Sequence, residues 1–150
     1  MLKIGDIAPS FKTTTDSGEI VDSEALKGQK FVLYFYPKDN TPGCTKEACS
    51  IRDNYGVFQN SGIQVFGASG GKSHQKFIDK YNLPFPILLD EKLELAKKFG
   101  AYKQGNRVSR ITYLIDENGK IEGIFGGNEG VDKVNTSVHA DQIIEFWELR

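Results

Sequence analysis

The chain has 150 residues, enough for one domain with a real core, and its 39% hydrophobic and 26% charged residues are ordinary for a globular protein. A net charge of −1 argues against a nucleic-acid surface or an acidic tail. No apolar run reaches the length of a membrane span, and the start, Met1-Leu2-Lys3-Ile4-Gly5-Asp6, lacks the apolar stretch of a secretory leader, so a cytoplasmic location is expected.

In chain order, segments 8–13 and 19–21 are expected to pair as a small hairpin, followed by a short helical turn near 23–26. Phe31-Val32-Leu33-Tyr34-Phe35-Tyr36 is a continuous apolar run, the pattern of a central strand covered on both faces. A helix is expected from Gly43 to about Phe58, then a strand over 63–68. Ser73 is the expected N-cap of a helix through Tyr81. Prolines 84 and 86 keep their segment extended, and Ile87-Leu88-Leu89 reads as a short strand. Residues 91–99 suggest a helix stopped by Gly100. Two strands, 109–115 and 120–125, flank the turn signal Asp116-Glu117-Asn118-Gly119. Gly126 to Gly130 reads as a flexible connection into a last helix over 137–149, whose Ile143, Ile144 and Trp147 share one face. Strands interleaved with helices, then a hairpin and a closing helix, predict a single α/β domain over 1–150 with a central mixed sheet.

Both cysteines lie in Tyr36-Pro37-Lys38-Asp39-Asn40-Thr41-Pro42-Gly43-Cys44-Thr45-Lys46-Glu47-Ala48-Cys49. In a reducing compartment two thiols five positions apart suit redox chemistry better than a structural staple. The Pro-Gly break puts Cys44 at a helix N-terminus, where unpartnered N–H groups and the helix dipole favour thiolate over thiol. Cys44 is therefore a candidate nucleophile. Pro37, Thr41 and Cys44 obey P-x-x-x-T-x-x-C: Pro37 ends the strand, Thr41 offers a hydroxyl, and Pro42 and Gly43 shape the backbone so that N–H groups face the sulfur. Such a pocket suits a small molecule with two oxygens.

The run FYPKDNTPGCTKEAC resembles the active-site signature of the peroxiredoxins, most of all the branch called peroxiredoxin Q or bacterioferritin comigratory protein. The similarity extends to Gly5-Asp6-Ile7-Ala8-Pro9-Ser10-Phe11, to Phe85-Pro86-Ile87-Leu88-Leu89-Asp90 and to Arg110-Ile111-Thr112-Tyr113-Leu114-Ile115-Asp116. The resemblance implies a thioredoxin-like fold and thiol-dependent reduction of hydroperoxides, with no cofactor and no metal. It assigns Cys44 as the peroxidatic cysteine, Cys49 as the resolving cysteine, Thr41 as the hydroxyl that holds the peroxide and Arg110 as the cation supporting it. Glu47 would orient that arginine, while Tyr36, Pro37, Pro42 and Gly43 would line or shape the pocket. The implied cycle runs from thiolate to sulfenic acid to a Cys44–Cys49 disulfide, reopened by thioredoxin or a similar dithiol protein. The same branch suggests a monomer, with dimers among some relatives.

Plainer readings stand beside these. A first-turn Glu47 already suits the helix dipole. Lys38, Asp39, Lys46 and Arg52 read as solvated charges, His74 and His139 as surface residues, and Trp147 as a core anchor. Gly70-Gly71-Lys72-Ser73 is not a phosphate loop, because Phe66 stands where its first glycine would be. A disulfide oxidoreductase would need C-x-x-C, which is absent. A redox-sensing module and a metal-binding module are the remaining alternatives, the latter poorly served by two thiols and distant histidines.

Overall fold

The structure, a computed structural model, describes residues 2–127 and 132–150. Strands β1 (Lys12–Thr14) and β2 (Ile20–Asp22) form the N-terminal hairpin, and a 3-10 turn follows at Ser23–Leu26. Next come β3 (Phe31–Phe35), α1 (Pro42–Asp53), α2 (Tyr55–Asn60), β4 (Gln64–Ser69), α3 (Gln75–Tyr81), β5 (Ile87–Leu89) and α4 (Glu94–Lys98). A two-residue hairpin, β6 (Tyr102–Lys103) with β7 (Arg107–Val108), was not foreseen. Strands β8 (Ile111–Ile115) and β9 (Ile121–Gly126) and helix α5 (His139–Trp147) complete the chain. The part of the Gly126–Gly130 connection beyond Gly127 lies outside the described residues.

Five strands form the central sheet in the order β5-β4-β3-β8-β9, parallel from β3 to β5 and antiparallel from β3 through β8 to β9. This is the mixed α/β sheet the sequence predicts. Strand β3 lies in the middle, and its alternation splits the core in two. Phe31, Leu33 and Phe35 join one cluster with Phe66, Phe99 and Tyr113; Val32 and Tyr34 join the other with Ile51, Phe58, Phe77 and Ile143. Cover on both faces explains the uninterrupted apolar run. Among the described residues no helix is long and apolar enough to cross a membrane.

Several element boundaries differ from expectation for identifiable reasons. The helix expected from 43 to 58 breaks at Asn54, whose side-chain amide donates to the Ser50 carbonyl at 2.9 Å and competes with the helical ladder. The helix expected from Glu91 starts at Glu94, because the Asp90 carboxylate takes the Leu95 and Ala96 N–H groups, both at 2.9 Å. Ser73 accepts the Gln75 N–H at 3.2 Å, yet His74 occupies the cap position. The last helix opens with a 3-10 turn at Thr136–Val138 and closes at Trp147, whose half-buried indole donates to Glu122 Oε2 at 3.0 Å. Ser109 leaves the sheet to donate to the Ala101 carbonyl at 2.7 Å, so β8 begins two residues later than expected and Arg110 stands free of the ladder.

Candidate active site

The loop from β3 delivers the chain to α1, with Pro42 at the first helical position, where its missing N–H costs nothing. Cys44 follows in the first turn and is 1% exposed. Because Phe35 of β3 pairs with Ile111 of β8, the residue just before β8 lies beside the start of α1. That residue is Arg110. Its Nη2 donates to Cys44 Sγ at 3.4 Å, and its Nη1 donates to Glu47 Oε1 at 2.7 Å. One planar guanidinium thus spans the thiol and the carboxylate, which a single ammonium could not do with the same geometry. The guanidinium and the first-turn N–H groups both bring positive potential to this end of α1.

Two glycines make room for this arginine. A Cβ on Gly43 would lie 3.1 Å from Arg110 Nη2, so Gly43 clears the approach to the thiol. Gly126 has φ +82, and a Cβ there would lie 2.3 Å from the Arg110 carbonyl oxygen. The sequence singled out Gly43 as a backbone shaper, but nothing in it pointed from Gly126 to Arg110.

Thr41 holds the N-cap position without a side-chain cap bond, and its hydroxyl donates to the Lys38 carbonyl at 2.8 Å. Pro37 and Pro42 are exposed. Tyr36 is buried, with its ring against Phe77 and its hydroxyl donating to Asp39 at 2.6 Å. Cys49 is half-buried five residues along the same helix, and both thiols are free.

Four charge assignments change. Glu47 lies in the second turn of α1, fully buried, so the helix dipole does not account for it. Asp39 takes His74 Nδ1 at 2.7 Å besides Tyr36, and it is not a solvated charge. His74 is buried, bridging Asp39 to the Ser69 carbonyl and so pinning the loop that leads to Thr41. His139 is buried too: its Nε2 lies 2.7 Å from Thr112 Oγ1 and 3.6 Å from Glu47 Oε2, and its Nδ1 lies 2.7 Å from Gln142 Oε1. Both histidines read as surface residues because Asp39 and Thr112, which engage them in the interior, lie 35 and 27 positions away along the chain.

Burial pushes the Glu47 carboxyl up to about 7, against the opposing pull of Arg110. Burial also pushes the His139 imidazole down to about 4, with the charge of Arg110 acting the same way and the Gln142 bond opposing. The two groups therefore tilt stability in opposite directions. The raised Glu47 contributes stability below its ordinary value of 4.5 that is lost as pH rises through about 7. The depressed His139 contributes stability above 6.5 that is lost as pH falls through about 4. At about 1.4 kcal/mol per pH unit of displacement, each amounts to about 3 kcal/mol. Urea unfolding across this range tests the balance. Relative to wild type, Glu47→Gln is expected to lose stability more steeply on acidification, and His139→Leu more steeply on alkalinisation. Parallel pH profiles in all three proteins would contradict it.

Residues 4–124 match the AhpC/TSA family. A putative peroxiredoxin bcp of Coxiella burnetii is 40% identical, with 95% of this chain and 97% of that protein covered. The crystal structure of peroxidoxin BcpB from Mycobacterium tuberculosis superposes with a TM-score of 0.86 at 28% identity, over 99% of this chain and 97% of that one. A structure of the Xanthomonas campestris bacterioferritin comigratory protein, described in terms of its alkyl peroxide reduction activity, superposes with a TM-score of 0.81 at 26% identity, over 92% and 90% of the two chains.

Proposed function

This chain belongs to the AhpC/TSA family and is a peroxiredoxin of the Bcp and Q type, and on that premise we propose that it reduces hydrogen peroxide and organic hydroperoxides through Cys44 and Cys49. The observation that carries the assignment of residues is the Arg110 guanidinium donating to the Cys44 sulfur at the first turn of α1.

The Cys44 thiolate attacks the terminal oxygen of the hydroperoxide, and water or an alcohol leaves. Cys44 becomes a sulfenic acid. Arg110 supports the charge passing from sulfur to the oxygens. The Thr41 hydroxyl keeps its lone pairs free while donating to Lys38, so it is fitted to accept the O–H of the substrate. Cys49 then attacks the sulfenic sulfur, and a disulfide forms. A dithiol protein of the thioredoxin type reopens it, and a thiol pair that cycles in this way suits the reducing cytoplasm.

Both cysteines lie within one helix, Pro42–Asp53. Five residues of ideal helix separate Cα atoms by about 8.6 Å. A disulfide needs less than about 7 Å. The first turns of α1 must therefore unwind before the bond closes, and unwinding also brings the buried Cys44 within reach of a reductant. One equivalent of hydrogen peroxide is expected to remove both free thiols and to speed amide exchange across residues 42–53. Unchanged exchange with the disulfide present refutes the opening, and persistence of both thiols refutes the reading as a whole.

A further inference from the structure

Glu47 lies between the two cysteines on the helix that has to open, and its carboxylate is only half satisfied. Oε1 takes Arg110, but Oε2 is buried and, among the described residues, has no hydrogen-bond partner. Its neighbour is His139 Nε2 at 3.6 Å, too far for a hydrogen bond. Whether that nitrogen offers a proton or a lone pair is decided one residue further out. The Gln142 side chain is oriented from both ends: Oε1 accepts the Asn135 N–H at 3.0 Å, and Nε2 donates to the Lys133 carbonyl at 3.0 Å. Gln142 Oε1 is therefore an acceptor, and the His139 nitrogen facing it at 2.7 Å, Nδ1, carries the hydrogen. A neutral imidazole then has a bare Nε2, which accepts the Thr112 hydroxyl.

An ionised Glu47 would thus turn an uncompensated oxygen toward a lone pair in the core. A protonated one would not. Arg110 ahead of β8 holds the other Glu47 oxygen and also reaches Cys44, while Tyr34 on β3, which feels Glu47, Cys44, Asp39 and Cys49 together, has a buried hydroxyl also without a partner among the described residues. Among the described residues Arg110 is the one cation acting on Glu47, and it is shared with the Cys44 sulfur.

We propose that Glu47, faced by the bare His139 Nε2 that Gln142 imposes (His139 and Gln142 being positioning residues), stores one proton while α1 is intact and gives it up when the helix opens to join Cys44 to Cys49. Opening exposes the carboxyl to water, where it ionises. The step balances. One thiolate, one thiol, one hydroperoxide and one carboxylic acid become one disulfide, one alcohol or water, one further water and one carboxylate. Two electrons pass from the sulfurs to the O–O bond, and the leaving oxygens gain their protons without a net draw on solvent. The elevated Glu47 titration fits this storage near neutrality.

The proposal rests on the peroxidase reading only for the way in which the bond is closed. The test counts protons per disulfide in weakly buffered solution with a pH indicator, after one equivalent of hydrogen peroxide. At about pH 6, wild type is expected to release nearly one proton more per disulfide than Glu47→Gln, a difference that vanishes at about pH 9. Gln142→Met frees the His139 ring to place its hydrogen on Nε2 and donate to Glu47, so its count at about pH 6 moves toward that of Glu47→Gln. Equal counts for wild type and Glu47→Gln, or an unmoved count in Gln142→Met, overturn the proposal. If peroxide leaves both thiols free, the peroxidase reading fails by itself. Closing the bond with oxidised dithiothreitol then yields the same proton count and judges the storage of the proton alone.

Discussion

Cys44→Ser is expected to reduce hydroperoxide consumption to the uncatalysed background, while Cys49→Ser completes one turnover and stops at a sulfenic acid. The first result follows from the nucleophile. A thiolate is the attacking species, and a serine hydroxyl at the same place stays protonated and forms no sulfenic acid. No second thiol substitutes for it, because Cys49 is half-buried in the second turn of the same helix, away from the unpartnered N–H groups. The second result follows from geometry. Cys44 is 1% exposed, so its sulfenic acid is sheltered until α1 opens, and with serine at position 49 no internal thiol condenses with it. Mass spectrometry of the intact proteins after stoichiometric peroxide distinguishes the forms. Wild type loses two hydrogens, Cys49→Ser gains one oxygen on Cys44, and Cys44→Ser is unchanged. An oxygen found on Cys49 in the Cys44→Ser protein would reverse the two roles.

Arg110→Gln is expected to slow the oxidation of Cys44 by about 10²–10³-fold, the usual cost of losing one donor to developing charge. The variant removes the hydrogen bond to sulfur and the cation shared with Glu47. Removing one member of a buried ion pair ordinarily destabilises a fold, because the other is left charged. Here the carboxyl has an escape. Burial already raises Glu47, Arg110 alone restrains that rise, and without Arg110 the carboxyl takes up a proton and becomes neutral. The unfolding midpoint in urea is accordingly expected to change far less than the rate. A wild-type rate of oxidation in stopped flow would remove Arg110 from the chemistry, and a collapse of stability in proportion to the rate would make it a structural residue.

The thiol, the helix start and the central strand were all legible locally. Pro42 and Gly43 before Cys44 mark a helix N-terminus by backbone chemistry alone, and the apolar run into Tyr36 marks a strand covered on both faces. Arg110 entered through the motif around it and through family resemblance, not through spacing, because it reaches Glu47 and Cys44 from 63 and 66 positions away along the chain. Asn54 and Asp90 moved two helix boundaries by side-chain bonds to backbone groups four to six residues off, which hydrophobic periodicity does not register.

Sequence by itself determined which sulfur stands at a helix start, because propensity, capping and the helix dipole act within a few residues. Only the tertiary structure decided what surrounds that atom. The pairing of β3 with β8 brought Arg110 to the sulfur, and the packing of α5 buried His139 beside Glu47. Protonation inside a core depends on which distant groups exclude water together, and a one-dimensional pattern does not carry that information.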